Sequence, residues 1–205
     1  MENKIIFNPA TDGINVVIPD GVTEIGNIFQ GCKFLKSITI PEGITSIGAY
    51  AFRDCTSLIN VNLSDRVTSI DSHAFDRCTA LGSIVIPKGV TSIGDYAFCG
   101  CTNLISITIP EGVTSIGAYA FYCCTNLTNV TIPNKVLSIG DRAFCGCDDL
   151  IDITIPNKVL LIGRDTFKDC NIKSIRVLSQ QPSKLSPYIK FLIYQYGDNV
   201  EITFS

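Results

Sequence analysis

Seven cysteines recur at a fixed interval of 23 residues along this chain of 205 residues. They are Cys32, Cys55, Cys78, Cys101, Cys124, Cys147 and Cys170. A phenylalanine stands three residues before each of these cysteines, and a leucine stands three residues after all but the last. A constant period of about 20 to 50 residues is typical of repeat architectures, in which each repeat is one small structural unit. The period therefore predicts a solenoid.

One repeat, residues 110–132, shows the expected local structure. Its last residues, 127–132, alternate apolar and small polar side chains near the end, which indicates a half-buried strand. Pro110 and Gly112 form a turn after the strand of the preceding repeat, and Val113 and Ile116 begin a second short extended piece. Residues 118–124 are predicted to form one helical or 3-10 turn. The fold class predicted is an α/β solenoid, dominated by strands, with seven repeats.

A unit this small cannot bury its own apolar side, so neighbouring repeats must stack and the two ends must be covered. The whole chain, 1–205, is predicted to be a single domain. Residues 1–18 are expected to form an N-terminal cap hairpin, residues 19–178 the seven repeats, and residues 179–205 a C-terminal cap with a helix and a strand.

The repeat, written Ile-Pro-x-Gly-Val-Thr-Ser-Ile-Gly-x-x-Ala-Phe-x-x-Cys-Thr-x-Leu-x-x-Ile-x-Ile, resembles the 23-residue leucine-rich repeat of the BspA-like class, also called the Treponema pallidum type. The resemblance covers roughly residues 14 to 178. It implies a right-handed, curved leucine-rich-repeat horseshoe with a parallel sheet on one face. It also implies a surface or secreted protein that binds host or microbial proteins, because members of the class commonly do so.

Charge and composition exclude several kinds of chemistry. The net charge of −3 and the dispersed basic residues give no stripe suited to a nucleic-acid backbone. The single histidine, His73, rules out a His-rich metal site and leaves one imidazole for acid–base work. It shares a repeat column with Tyr50, Tyr96 and Tyr119, so we expect it to pack beside their rings. We therefore predict a non-enzymatic protein that needs no metal and no cofactor.

The sequence gives mixed indications of cellular location. The N-terminus has no long apolar segment and carries Glu2 where a secretory signal would be basic, and no segment is apolar enough to span a membrane. These features and the many free thiols favour the cytoplasm. The family resemblance favours the cell surface or secretion instead.

The strand of each repeat should present two outward side chains, which together form a flat polar face. The candidate ligand-binding residues on this face are Ser37, Thr39, Asn60, Asn62, Ser83, Ser106, Thr108, Asn129, Thr131, Asp152 and Thr154. Such residues are also ordinary cross-strand neighbours, so a purely structural role is the alternative. The area of the face is on the order of 500 Å². A standard interface takes ~800 Å² from each partner, so a protein partner would also touch the flanking turns, which carry Asp20, Glu42, Asp65, Lys88 and Glu111.

The ten cysteines fall into two groups. The seven periodic ones are predicted to be buried, because free cysteine behaves as a small hydrophobe. Cys99, Cys123 and Cys145 precede periodic cysteines by one or two residues and are predicted to lie on the outside as reactive thiols.

The predicted function is binding of a protein, peptide or cell-surface ligand, of the adhesion or host-interaction type, through the sheet face. The alternative is a structural or self-assembling protein. In that case exposed sheet edges or the apolar C-terminal cap, especially Tyr188, Phe191 and Tyr194, would join copies into a homo-oligomer.

Overall fold

The structure of the protein is a computed structural model that describes residues 18, 21–179, 181, 185–196 and 201–204. The predicted hairpin of residues 1–18 lies outside these described residues, except for residue 18. The described chain forms two rows of parallel strands around one hydrophobic core, which makes it a parallel β-solenoid of about eight turns. The predicted solenoid is therefore confirmed.

Each repeat contributes one strand to each row. The first row, here called the short-strand ladder, is one parallel sheet of β1 (Glu24–Ile25), β3 (Ser46–Ile47), β5 (Ser69–Ile70), β7 (Ser92–Ile93), β9 (Ser115–Ile116), β11 (Ser138–Ile139) and β13 (Leu161–Ile162). The second row, here called the long-strand face, consists of β2 (Ser37–Thr39), β4 (Asn60–Asn62), β6 (Ser83–Val85), β8 (Ser106–Thr108), β10 (Asn129–Thr131), β12 (Asp152–Pro156), β14 (Ser174–Leu178) and β15 (Glu201–Phe204).

The long-strand face divides into three hydrogen-bonded groups, β2–β4, β6–β8–β10 and β12–β14–β15, which lie side by side along the solenoid. Neighbouring strands pair in register, so that residues 23 apart become direct neighbours, as in the pairing of Ser83 with Ser106. Successive side chains of a strand point to opposite sides. The outer residues of each three-residue strand are therefore exposed while the central one enters the core.

Seven phenylalanines fill the centre of the solenoid as one stacked column. They are Phe29, Phe52, Phe75, Phe98, Phe121, Phe144 and Phe167, and all are buried. Consecutive rings are nearly parallel, with centroids 5.1 to 5.6 Å apart. Burying one such side chain stabilises the fold by roughly 1.5–3 kcal/mol, so this column is a major part of the core.

The repeats approach closely enough that glycine is required where the backbones meet. A Cβ atom added to Gly117 would lie 2.6 Å from the backbone nitrogen of Asp95 in the preceding repeat. Real Cβ atoms essentially never come that close to a backbone atom. This explains the glycine that follows most short strands in the sequence.

The predicted helical turn is a regular 3-10 helix in the first repeat, at Asn27–Phe29, and an irregular turn in the following ones. In the second repeat, Arg53 N–H donates to the carbonyl of Tyr50 (3.1 Å) within the turn, whereas Phe52 N–H donates to the carbonyl of Ala74 (2.7 Å) in the next repeat. Tyr50 and Asp54 have positive φ values of 61° and 58°, which interrupt a helix. Some backbone N–H groups of the turn therefore bond within the repeat, and others bond to carbonyls of the next repeat.

The C-terminal residues cover the last repeat. Helix α1 (Pro187–Tyr196) buries Ile189 and Leu192 against the core and lies beside β13. Strand β15 extends the long-strand face by pairing with β14. None of the described helices is long and apolar enough to cross a membrane.

Candidate binding face

The long-strand face carries all eleven residues that the sequence analysis proposed as ligand-binding. Ten of them are exposed, and the eleventh, Thr154, is half-buried. The strand register brings them together within the three hydrogen-bonded groups, so that Ser37 lies beside Asn60, and Ser106 beside Asn129. The geometry of the predicted face is therefore present, while its ligand-binding role stays a prediction.

The polar groups of this face are almost all unused by the protein itself. Among the described residues, only two of the eleven have a side-chain hydrogen bond: Asn129 donates to Thr128 Oγ1 (3.0 Å), and Asp152 accepts from Ser174. The remaining hydroxyls and amides face solvent. They are available to a partner without breaking a bond within the fold.

The exposed threonines beside the short-strand ladder differ in this respect. The hydroxyl of Thr45 donates to the carbonyl of Thr23 (3.2 Å), that of Thr68 to Thr45 (3.2 Å), and that of Thr114 to Thr91 (3.3 Å). These hydroxyls satisfy backbone acceptors of the preceding repeat. In the described part of the chain, the two surfaces have similar polar residues, but only the long-strand face has many hydroxyl and amide groups that are free to bind a partner.

One apolar residue interrupts the polar face near its centre. Val85, at the end of β6, is 80% exposed and occupies the position where β8 and β10 have Thr108 and Thr131. These residues line a depression of about 550 Å³ that continues onto the neighbouring turns. The strand pattern places Val85 at an outward position, but it is not among the proposed ligand-binding residues. Its departure from the threonine column is the signal that could have identified it.

Charged residues from the turns border the same depression. Asp65, Lys88 and Glu111 line it. These are three of the five turn residues that the sequence analysis expected to flank the face; Asp20, another of the five, lies outside the described residues. The border alternates acidic and basic groups, so it suits a partner with mixed charges rather than a uniformly charged polymer.

The periodic cysteines are buried, as predicted, except for the half-buried Cys32 and Cys170 at the two ends of the column. Each thiol from the second repeat onward also has a hydrogen bond that the sequence analysis missed. The Sγ of Cys101, for example, donates to the carbonyl of Phe75 (3.2 Å), and the same contact of 2.9 to 3.2 Å recurs in six repeats. Cysteine is small and apolar and still supplies a donor, which explains why it fits this position.

The prediction of three external thiols is wrong for Cys145, which is buried with 5% exposure. Cys99 and Cys123 are half-buried. Cys145 occupies the same repeat position as Asp76, which is also buried, and as Cys99, which is half-buried, so burial at this position varies from repeat to repeat. Burial, reinforced by the charge of Asp169, raises the pKa of Cys145 to about 11.

His73 stacks between two tyrosines, as expected. Its ring centroid is 4.7 Å from that of Tyr50 and 4.6 Å from that of Tyr96. Its Nδ1 lies 3.0 Å from Oδ2 of the buried Asp76, and Arg53 Nε is 3.2 Å from the same oxygen. The nearby Cys99 is not an activated nucleophile, because burial, and then the charge of Asp76, raises its pKa to about 12. The thiol beside this cluster therefore lacks the lowered pKa that an activated cysteine needs.

The described residues contain no group of three or more His, Cys, Asp or Glu side chains placed to hold a metal ion. The depression on the long-strand face is likewise bordered by polar and apolar groups without a cluster of metal ligands. The arrangement is suited to contacts with another surface.

Comparisons with known proteins agree with this architecture. The sequence matches the family described as the BspA type leucine rich repeat region, in six copies, over residues 4–93 and 68–189. A solved leucine-rich-repeat protein of Treponema pallidum is 28% identical, with a TM-score of 0.65 over 93% of this chain and 86% of that one. A leucine-rich cell surface protein of Faecalibacterium prausnitzii is 24% identical, with a TM-score of 0.54 over 89% of this chain and 62% of that one, and shows likeness of fold alone.

None of the curated proteins matches the chain. The family matches together cover most of the sequence, and the observed solenoid has the repeat spacing that the family requires. The chain therefore belongs to the BspA type leucine-rich-repeat family.

Proposed function

We propose that the protein is a non-catalytic binding protein that docks a protein or peptide ligand on the long-strand face. The observation that carries this proposal is the set of exposed hydroxyl and amide groups on the face that have no partner among the described residues. Concave faces of repeat solenoids are typical docking surfaces. Family membership supports the same class of function, because leucine-rich-repeat proteins generally bind proteins or are associated with surfaces.

The centre of the face suggests how a ligand is held. The exposed Val85 offers an apolar contact, and Asp65, Lys88 and Glu111 surround it with charges of both signs. Apolar contacts surrounded by polar groups are typical of interface centres. We therefore expect the ligand to place an apolar side chain on Val85 and polar groups on the hydroxyls and amides around it.

A pull-down from lysates or host extracts tests this proposal. The wild type is compared with a variant that carries Asn60→Arg, Thr108→Arg and Thr131→Arg, since bulky charges should block docking. A matched control carries Thr45→Arg, Thr91→Arg and Thr114→Arg, which lie beside the short-strand ladder. We expect the first variant to lose the partner and the control to retain it. Equal recovery by all three proteins would remove the long-strand face from consideration.

Self-assembly is a second candidate, favoured by the exposure of three aromatic residues on α1. Tyr188, Phe191 and Tyr194 are all exposed, with Tyr194 at 85%. Light scattering over a range of protein concentrations separates the two functions. A monomer at every concentration would contradict assembly, whereas a mass that rises with concentration would support it.

A further inference from the structure

Among the described residues, the short-strand ladder ends at β13, and no further strand pairs with its outer edge. On this ladder the N–H groups at the two ends of most short strands donate to carbonyls of the preceding repeat. Leu160 N–H donates to the carbonyl of Leu137 (2.8 Å), and Gly163 N–H to that of Ile139 (2.8 Å). By the same register, the carbonyls of Leu160 and Ile162 are the acceptors for a following strand. None of the described residues donates to either of them.

A groove lies beside this open edge. It has a volume of about 680 Å³ and runs between β13 and α1, with Leu161 and Ile162 on one side and Tyr188 and Phe191 on the other. Cavities of about 300–1,000 Å³ are typical of ligand sites. The groove therefore has the size of a binding site, and its walls are mainly apolar.

The sequence departs from its own repeat pattern in and beside this groove, where Leu161 belongs to the lining and Leu160 and Leu137 lie outside it. The first five repeats have threonine where the last has Leu160, and Leu137 replaces it in the sixth. Where the last repeat has Leu161, the first has Glu24 and the second to sixth have serine. All three leucines are exposed. Stacking does not require this change, because the polar residues of earlier repeats occupy the same positions. Clustered exposed apolar residues are typical of interaction sites.

We propose that this groove binds an extended peptide segment of a partner, added parallel to β13 as an eighth strand of the short-strand ladder. N–H groups of the peptide donate to the carbonyls of Leu160 and Ile162, and its apolar side chains pack against Tyr188 and Phe191. The carbonyls on an unpaired strand edge are spaced to accept from the N–H groups of an extended chain. Peptide recognition by strand addition depends on this match.

Charge at one end of the groove defines the ligand further. Arg164, two residues after the end of β13, lines the groove, and its guanidinium forms no ion pair with the described residues. Asp141 lines the same groove, and its carboxylate accepts from the backbone N–H of Arg164 (2.7 Å) rather than from the guanidinium. All neighbouring strands of the ladder are parallel. A parallel peptide therefore places its C-terminal end near Arg164. A carboxylate at that end complements the guanidinium, because arginine binds carboxylates well.

The chain itself supplies a suitable probe. Residues 135–141, Lys-Val-Leu-Ser-Ile-Gly-Asp, contain β11, which binds the corresponding edge of β9 in the structure. The N–H groups of Leu137 and Gly140 donate to that edge at 2.8 Å each. A fluorescein-labelled peptide of this sequence is titrated with the full protein, and fluorescence polarisation is measured. A second peptide carries N-methyl groups at the amides equivalent to Leu137 and Gly140, and a third at that of Ile139.

We expect the unmodified peptide to bind saturably. Methylation of both donating amides should weaken binding roughly tenfold or more, because two hydrogen bonds are lost. The Ile139 peptide should lose much less. Binding that is equally weakened or unaffected by both methylated peptides would contradict strand addition, and failure of the unmodified peptide to bind would overturn the proposal.

Protein variants test the groove itself. Phe191→Ala should weaken the unmodified peptide several-fold, whereas Tyr194→Ala, on the same helix but outside the groove lining, should leave it unchanged. Arg164→Gln should weaken a peptide with carboxylates at its C-terminal end and spare one in which the Asp is replaced by Asn and the C-terminus is an amide. Equal effects of Phe191→Ala and Tyr194→Ala would contradict the site.

Two further measurements separate this site from the other proposals. The variant with three arginines on the long-strand face should bind the peptide as the wild type does, so that failure of one proposal leaves the other intact. Self-association of the wild type that Phe191→Ala abolishes would mean that a second copy occupies the groove. That result would overturn the assignment to a partner's peptide.

Discussion

Two columns of rings run in parallel through the solenoid, and they differ in how strictly the sequence is constrained. The inner column is phenylalanine in all seven repeats and is buried throughout. The outer column, two residues earlier in each repeat, contains Tyr50, His73, Tyr96 and Tyr119, and then Arg142 and Asp165. The inner column must fill one shared volume, so only one side chain fits. The outer column needs only a favourable contact between neighbours.

Side chains of the outer column contact their neighbours in adjacent repeats in several different ways. Tyr96 and Tyr119 stack with centroids 4.6 Å apart, Arg142 Nη1 lies 3.2 Å from the hydroxyl of Tyr119, and Arg142 Nη2 lies 3.1 Å from Asp165. Ring stacking thus changes into hydrogen bonding and then ion pairing along one column. The stacking of the repeats fixes where each side chain of the outer column lies. The type of side chain, and so the type of contact, varies from repeat to repeat.

The largest difference between inner and outer positions should appear in thiol reactivity. Buried Cys101, whose pKa is raised well above its usual value by burial, should react only when the fold opens. Half-buried Cys170, at the end of the column, should react sooner, because reagent reaches its sulfur without opening of the fold. Cys99 is also half-buried but should lag, because burial and Asp76 raise its pKa to about 12. Peptide mapping after brief alkylation at pH ~8 measures the order.

Alkylation of the unfolded protein is the control, since all cysteines should then react at similar rates. Reaction of Cys145 or Cys99 ahead of Cys170 in the native protein would contradict the burial described above. Disappearance of the order under native conditions would mean that the end of the solenoid opens readily.

Truncation of the inner column should cost far more stability than truncation of the outer one. Phe98→Ala should lower the free energy of unfolding by about 3–5 kcal/mol, because it removes a buried ring and leaves a cavity between two others. Tyr96→Ala, two residues away, should cost about 1 kcal/mol, since it removes stacking at a partly exposed position. Urea unfolding followed by circular dichroism measures both. Equal losses would show that the outer column carries as much of the stability as the inner one.

Loss of the thiol hydrogen bond should lower the free energy of unfolding by a smaller amount. The order of the alanine and serine variants shows whether the bond matters. Cys101→Ala removes one of the two donors to the carbonyl of Phe75, which still accepts from the backbone N–H of Cys78 (3.1 Å), at a cost of about 0.5–1.5 kcal/mol. Cys101→Ser retains a donor and should therefore be less destabilising than Cys101→Ala. If the cysteine were only a small hydrophobe, alanine would be the better replacement. The order of the two variants in urea unfolding decides between these interpretations.

The sequence predicted the features that a period dictates. Strict recurrence of Phe98 and its equivalents predicted one buried column, and the alternation around Ile107 predicted a strand with two exposed side chains. Recurrence did not predict the bond from Cys101 to the carbonyl of Phe75, because the partner lies 26 residues away and belongs to the backbone. The burial of Cys145 was missed for a similar reason, since it depends on side chains of neighbouring repeats that differ from its own.

The candidate sites likewise include features that the sequence predicted and features that only the structure revealed. The exposed hydroxyls and amides of the long-strand face followed from the strand pattern, whereas the depression around Val85 required the turns of adjacent repeats to be placed in space. The groove beside β13 exists because α1 packs next to that strand. The repeat pattern does not predict this packing, because α1 lies outside the repeats. Departures from the repeat at Val85, Leu160 and Leu161 were visible in the sequence. The strand pattern placed Val85 on the outside, whereas the exposure of Leu160 and Leu161 was not predicted, because an apolar residue in a repeat column is ordinarily expected to be buried.

The smallest predicted effect concerns the backbone of the turns. Arg77 has a φ of 58°, and the equivalent positions one and three repeats later are Gly100 and Gly146, with φ values of 68° and 73°. Left-handed backbone costs a residue with a side chain roughly 1–2 kcal/mol, partly offset by the entropy that glycine loses on folding. Arg77→Gly should therefore be neutral or slightly stabilising.

Arg77→Ala is the matched control, because it removes the same exposed contact with Asp54 (3.7 Å) and keeps a Cβ at the left-handed position. We expect the glycine variant to be more stable than the alanine variant by about 1 kcal/mol, the reverse of their order in a helix interior. Urea unfolding of the two variants side by side measures this difference. A more stable alanine variant would mean that the turn relaxes towards a helical backbone once the side chain is short. The inter-repeat hydrogen bond from Arg77 N–H to the carbonyl of Cys99 (2.7 Å) would then not be what holds the left-handed conformation.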